Sequence, residues 1–221
     1  EESARAGTCG YIEDALARKP IQDFRCRRWE NLPCIQGIGE LGFITGDPVY
    51  GEAFEHIWWA MLEGDRHNTG GFTSGGAFRG NPYDQRSIET CCTVAWVALT
   101  IDMLRRTGDS RIADELELSL YNGVLGAQHP SGRWVTYDTP MDGQRKASTH
   151  SIWGQSRPGS PDLNCCSVNG PRGVGMLSEW AVMTASDGLA VNYYGPGSIG
   201  VALPSGRVAT IGQETDYPLG D

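Results

Sequence analysis

Long apolar runs are missing from this sequence, and that absence removes one class of function at once. The most apolar stretch, Val94 to Ile101, falls far short of the roughly 20 residues a helix needs to cross a bilayer. Positive charge is also scarce. Eighteen lysines and arginines stand against 27 aspartates and glutamates, a net charge of −9, whereas a nucleic-acid binder needs a concentrated positive surface. Nucleic acid and anionic membrane surfaces are therefore not expected as partners. Low-complexity sequence is lacking too, because the 30 glycines are spread through turns rather than gathered in one run. The opening residues, Glu1-Glu2-Ser3-Ala4-Arg5, have neither the basic nor the apolar region of a signal peptide. The closing residues, Gln213-Glu214-Thr215-Asp216-Tyr217-Pro218, read as a strand end with nothing to close a sheet. The expectation is a piece of a longer protein.

A complete disulfide framework is excluded as well, since the cysteines number seven. Four of them form two adjacent pairs, Cys91-Cys92 and Cys165-Cys166. Neighbouring cysteines rarely bridge one another, because the short ring forces poor geometry. Reduced thiols or metal ligands are the better reading, and unpaired thiols favour a soluble, cytoplasmic setting.

What is present is an ordinary globular composition with a repeated helical pattern. Gly39 to Glu55 and Ala98 to Glu117 each hold an apolar-periodic run, a Thr-Gly-Asp break and a second amphipathic run. The glycine suits the left-handed residue that closes a helix, and the aspartate suits the N-cap of the next. Pro48 occupies the favoured first helical position. Helices are predicted over 11–18, 30–45, 48–64, 88–106, 110–126 and 171–185. Such hairpins suggest an α/α toroid or solenoid. Within the third helix, Phe54, Trp58, Trp59, Met61 and Leu62 form a stripe read as core. Arg133 to Tyr137 reads as a short strand in an inter-helix loop. From Leu189 onward, β-branched residues alternate with glycine turns, and a β-rich segment begins.

The cysteine pattern carries the chemistry. Glu89-Thr90-Cys91-Cys92 opens a helix, where unpaired amides and the helix dipole favour negative charge and lower a thiol's pKa. Cys165-Cys166 precedes another predicted helix. If the two helix starts converge, three thiolates and one carboxylate could enclose a tetrahedral Zn²⁺. The spacing is not that of a zinc finger, and periodicity and composition leave the metal open.

Three blocks, Ser87-Ile88-Glu89-Thr90-Cys91, Ser119-Leu120-Tyr121-Asn122-Gly123-Val124-Leu125-Gly126 and Asn164-Cys165-Cys166, resemble glycoside hydrolase family 127 in order and separation. The resemblance runs over roughly residues 25–218. It implies a mainly α fold: part of an (α/α)6 barrel over 1–187, then the first strands of a β-sandwich over 188–221. It implies zinc ligands at Glu89, Cys91, Cys165 and Cys166, with Cys165 the nucleophile of a retaining hydrolase acting on β-L-arabinofuranosides or a related sugar. Substrate-contacting positions fall on Glu117 and Tyr137. His150, in the loop before the cysteine pair, is a further candidate to contact sugar, or a residue that caps the loop. Cys92 is expected to be buried and unligated, and Cys9, Cys26 and Cys34 to be structural.

The sequence departs from the family pattern at one functional point. The family's general acid is a glutamate that follows a glycine upstream of Glu-Thr-Cys, and Gly76 stands there. Glycine cannot transfer a proton, and losing a positioned acid costs about 10²–10⁴-fold in rate. Asp84 is the nearest carboxylate in that loop, although it suits a turn, and Glu63 ends a helix. Arg27 and Arg28 occupy the stretch where relatives often place a substrate-binding histidine. A second reading therefore stands beside the first: a catalytically impaired member that keeps zinc as a staple and binds carbohydrate. A redox or metal-handling thiol protein is a third reading, suggested by the cysteine pairs alone.

Overall fold

Each Thr-Gly-Asp break folds into the same turn. The computed structural model describes residues 12–18, 28–73, 78, 80–139 and 165–220, with 28–30 described in backbone only. Helices α1 (residues 12–16), α2 (Arg28–Thr45) and α3 (Pro48–Gly64) come first. After a loop come α4 (Thr90–Thr107) and α5 (Ser110–Leu118). Gly46 closes α2 at φ +69° and Gly108 closes α4 at φ +63°, a backbone region in which only glycine is unstrained. Asp47 Oδ1 then accepts from the Val49 amide at 3.0 Å, and Asp109 Oδ1 from the Arg111 amide at 2.9 Å. Each cap satisfies one orphan amide and contributes about 1 kcal/mol.

Helix α4 is the centre of the packing. Every residue from Thr90 to Leu104 is buried, which fits a helix that is apolar around most of its circumference. It packs between α2 and α6 (Cys165–Gly175), with α3 backing α2 and α5 backing α4. Side-by-side helices, each antiparallel to its hairpin partner, make this part of an α/α barrel. The predicted tryptophan stripe lies in the core: Trp58 stacks on Trp96 with ring centroids 5.0 Å apart, and its Nε1 donates to Thr100 Oγ1 at 3.1 Å. A buried aromatic of this size removes roughly 150–250 Å² from water, so Trp58 and Trp96 serve packing.

Two expected helices end differently. Residues 110–126 do not form one helix: α5 stops at Leu118 and the chain widens into a π-helical turn, Ser119–Val124, then a 3₁₀ turn, Leu125–Ala127. The wider turn lets Ser119 Oγ donate to the Gly70 carbonyl at 2.9 Å and sets Gly123 against Thr93. The helix expected over 171–185 begins at Cys165, with Pro171 inside it. It gives way to α7 (Leu177–Trp180) and then to strand. The β-branched and short residues after Trp180 pair across a tight turn instead of continuing the helix.

Strands are few and antiparallel. Short strands β1 (Ile88–Glu89) and β2 (Asp138–Thr139) pair Glu89 with Asp138. The expected strand over 133–137 is reduced to one bridge, Val135 to Gln128, and the ladder forms one residue beyond Tyr137. Further on, β3 (Val182–Ala185) pairs with β4 (Gly188–Val191), and β5 (Gly197–Ala202) with β6 (Val208–Gln213). The β3–β4 hairpin spans position 187, and β-structure starts at Val182 rather than Leu189. Among the described residues no helix is long and apolar enough to cross a membrane.

Candidate functional site

The first helix start is fixed by backbone and hydroxyl bonds. Glu89 is the N-cap of α4 in extended conformation, and its amide donates to the Phe72 carbonyl at 2.9 Å. The next amide, Thr90, donates to the Tyr137 carbonyl at 3.1 Å. Thr90 Oγ1 donates to the Thr136 carbonyl at 2.8 Å, and Thr93 Oγ1 to the Glu89 carbonyl at 3.1 Å. These bonds set Cys91 one residue inside the helix, in its positive first turn.

The second helix start meets it through close backbone approach. A Cβ added at Gly170 would lie 2.7 Å from Val135 Cγ2, and one added at Gly173 would lie 2.7 Å from Val124 Cγ1. Glycine at these positions lets α6 press against the 124–135 segment and against α4. The first turn of α6 thereby brings Cys165 and Cys166 to Cys91.

Three sulfurs converge as a result. Cys91 Sγ lies 2.8 Å from Cys166 Sγ and 3.2 Å from Cys165 Sγ, and the vicinal pair is 4.0 Å apart. A disulfide needs about 2.05 Å, and all five described cysteines are free. Their exposure separates them: Cys91 is 1% exposed, Cys166 is 0% exposed, and Cys165 faces solvent. This group could hold a metal ion.

The electrostatics divide the three thiols. Hydrogen bonds from Cys166 and Cys91 draw Cys165 down to about 3, so it is the thiolate of the group. The bond that Cys91 gives Cys165 raises Cys91, while burial raises Cys166. Burial also pushes the Glu89 carboxyl up to about 7, helped by the negative neighbours Asp138 and Cys165. Hydrogen bonds from Cys92 and Tyr137 act in the opposite direction.

The predicted site residues fall into three groups. Cys91, Cys165 and Cys166 meet directly. Glu89 and Tyr137 stand beside them: the Tyr137 hydroxyl donates to Glu89 Oε1 at 3.5 Å, and its carbonyl lies 3.9 Å from Cys166 Sγ. The Glu89 carboxylate nevertheless does not join the set whose ligand atoms all lie within 4.8 Å of one another. Glu117 faces elsewhere. It accepts from the Tyr217 hydroxyl at 2.5 Å and lines a cavity of about 1000 Å³ that contains none of the three sulfurs. His150 and Gly76 lie outside the described residues, as do Cys9, Cys26 and Arg27.

Asp84 and Cys92 acquire definite partners. Asp84 Oδ1 accepts from Arg86 Nε at 2.9 Å and from the Arg86 amide at 3.1 Å, and Arg86 Nη2 closes a second contact to Oδ2. A carboxylate held by a guanidinium in this way is a poor proton donor. Glu63 is exposed on α3. Cys92 is buried in the core, as expected, and its thiol also hydrogen-bonds Glu89. Cys34 is free and exposed.

Two residues beside the site were not legible in advance. Asn169 Nδ2 donates to the Cys165 carbonyl at 3.0 Å and approaches Cys91 Sγ at 3.5 Å. Its place four residues after Cys165, one helical turn, was the available signal. Asp138 reaches Glu89 only through strand pairing, and its own sequence carries no such signal.

Comparison with known proteins agrees with this architecture. The family model for the β-L-arabinofuranosidase GH127 catalytic domain matches residues 24–179. Among solved structures, a GH127 β-L-arabinofuranosidase from Geobacillus stearothermophilus T6 is similar at 25% identity and a TM-score of 0.68, over 87% of this chain and 32% of that one. A GH127 β-arabinofuranosidase is similar at 24% identity and a TM-score of 0.72, over 91% and 32%. A structure described as a glycoside hydrolase gives 20% identity and a TM-score of 0.71, over 91% and 37%. The chain thus spans about a third of the length of the structures it matches. No curated protein matches it. Matched by the family model over most of its length, the chain belongs to glycoside hydrolase family 127, in the region of the catalytic domain.

Proposed function

We propose that this chain carries the zinc and nucleophile region of a retaining glycoside hydrolase with a cysteine nucleophile, acting on β-L-arabinofuranosides or a related sugar. One observation carries the reading: of three converging sulfurs, only Cys165 is open to solvent and therefore to a sugar. Residues 1–187 are read as part of the barrel and 188–221 as the start of the following β domain.

The donor set suits zinc in kind. Sulfurs around a tetrahedral zinc with bonds of about 2.3 Å stand roughly 3.8 Å apart, and the three here lie between 2.8 and 4.0 Å. Cys91, Cys165 and Cys166 would hold the metal, with Glu89 as the fourth ligand from the adjoining N-cap. When bound, Zn²⁺ supplies positive charge that keeps these sulfurs ionised at neutral pH.

The chain's own residues then account for the chemistry. Cys165 Sγ attacks the anomeric carbon, forming a C–S bond as the C–O bond to the leaving group breaks. Water next attacks that carbon, its proton passes to bulk water, the C–S bond breaks, and Cys165 is returned as a thiolate. Cys91 and Cys166 are buried and take no part as nucleophiles. Tyr137, beside the sulfurs, and His150 are read as sugar contacts, whereas Glu117 is engaged by the Tyr217 hydroxyl apart from the sulfurs. The leaving oxygen needs a proton that neither Gly76 nor the Arg86-bound Asp84 is suited to give.

That last point favours a second reading, a catalytically impaired member that binds carbohydrate around a zinc staple. Aryl β-L-arabinofuranosides separate the two, because an activated aryl leaving group needs little protonation. The intact protein, Cys165→Ala and Gly76→Glu are compared on aryl and alkyl glycosides. The expected result is turnover of the aryl substrate that Cys165→Ala abolishes, and a gain on alkyl substrates in Gly76→Glu. Full activity in Cys165→Ala would sink the nucleophile assignment, and no turnover by any form would favour the binding reading.

A further inference from the structure

The sulfur cluster has one amide neighbour that the proposed chemistry does not use. Asn169 sits on α6 one turn after Cys165. One N–H of its side chain is given to the Cys165 carbonyl at 3.0 Å, which fixes the amide's orientation with nitrogen toward the cluster. The same nitrogen is 3.5 Å from Cys91 Sγ, across from α6 to α4. Through it a nitrogen donor on α6 reaches a sulfur on α4.

We propose that Asn169 is a positioning residue of the sulfur cluster: its amide fixes the Cys91 sulfur against the first turn of α6 and supports it as a retained thiolate ligand. The inference rests on the zinc reading above. An N–H donor stabilises a sulfur that carries negative charge, and the donor here serves Cys91 rather than Cys165. This donor withdraws charge from the Cys91 sulfur and none from the Cys165 sulfur, whose residue it meets only at the carbonyl. Because the amide spans two helices, it also couples the position of Cys91 to that of the nucleophile. Partners outside the ligand shell tune metal affinity by about 10–100-fold, which is the effect expected here.

The test uses the intact protein and two variants, Asn169→Leu, which keeps the shape without the donor, and Asn169→Ala. Each is stripped with a chelator, checked by circular dichroism and thermal unfolding, and titrated with Zn²⁺ against a competing chelator. Cobalt(II) replaces zinc in a parallel series, and its thiolate charge-transfer absorption is recorded. The expected outcome is a 10–100-fold weaker zinc affinity with a shifted cobalt–thiolate band, while the chelator-stripped variants unfold as wild type does. A purely structural Asn169 would lower the unfolding temperature of the stripped protein and leave the band unmoved in whichever variant folds; that result overturns the proposal. Wild-type affinity and band in both variants overturn it equally. A wild-type protein with no cobalt–thiolate band would instead refute the zinc reading itself, and with it this inference.

Discussion

At the start of α4 every group around Cys91 is tied down, whereas at the start of α6 one sulfur is left in contact with water. The α4 start is held by two backbone bonds, from Glu89 to Phe72 and from Thr90 to Tyr137, and by the buried Thr90 hydroxyl on Thr136. The α6 start is held by shape, through Gly170 and Gly173 against valines. Two consecutive cysteines one residue apart must point in different directions on a helix. On α6 this turns Cys166 inward and Cys165 outward. The difference shows how one cluster can combine an anchor with a reactive group.

The difference can be broken or sharpened by experiment, beginning with the largest effect. In chelator-treated protein at pH 7, iodoacetamide should label Cys165 at least about 30-fold faster than Cys91 or Cys166. That factor is the ratio of a full thiolate to the few per cent ionised in an ordinary thiol, and burial of the other two widens it. Peptide mass spectrometry over a time course reads the ratio, and equal rates would erase the distinction between the two starts.

Crowding the α6 start should come next in size. Gly170→Ala places a methyl 2.7 Å from Val135 Cγ2, at an overpacking cost of about 1–3 kcal/mol. Helix propensity returns up to about 1 kcal/mol, so a net loss of roughly 1–2 kcal/mol is expected in urea unfolding. The labelling advantage of Cys165 should shrink as α6 is displaced. Unchanged stability would mean that close backbone approach does not hold this helix.

A smaller loss is expected at the other start. Thr90→Val keeps the shape and removes the buried hydroxyl bond to Thr136, costing about 1 kcal/mol. The same unfolding measurement checks it, and the Cys165 labelling rate should not change.

Glu89 gives an effect of a different kind, confined to a pH window. With metal chelated, its folded-state value is about 7 against the usual 4.5. The unfolded chain therefore releases the proton first as pH rises. Stability from the protonated group is full below about 4.5 and is lost as pH passes through about 7. Glu89→Gln should flatten that slope, and an unchanged slope would assign it to other groups.

Much of the scaffold was legible in the chain. Thr-Gly-Asp identifies both hairpin turns, because a left-handed glycine and an aspartate cap are local needs met by local residues. The tryptophan stripe reads as core for the same kind of reason. The ends of helices were less legible. Proline at 171 suits a helix start, yet α6 begins at Cys165, since tertiary packing against Val135 and Val124 fixes where the first turn falls. The π-helical turn after Leu118 depends on Ser119 meeting Gly70, a contact 49 residues away in sequence. Glu117 and Tyr137 carry equal standing by motif, but only Tyr137 reaches the sulfurs.

By itself the sequence determined which atoms are available for chemistry: two cysteine pairs, a carboxylate at a helix N-cap, and a glycine where a proton donor is expected. It also determined the helical hairpins, because capping and periodicity act within a few residues. Only the tertiary structure decided that Cys91, Cys165 and Cys166 meet, that Cys165 alone faces solvent, that Asp84 is engaged by Arg86, and that Asn169 reaches across to Cys91. These depend on distances between residues that are remote in the chain, or on how a side chain is turned, and such distances are set by how helices pack rather than by what each segment prefers.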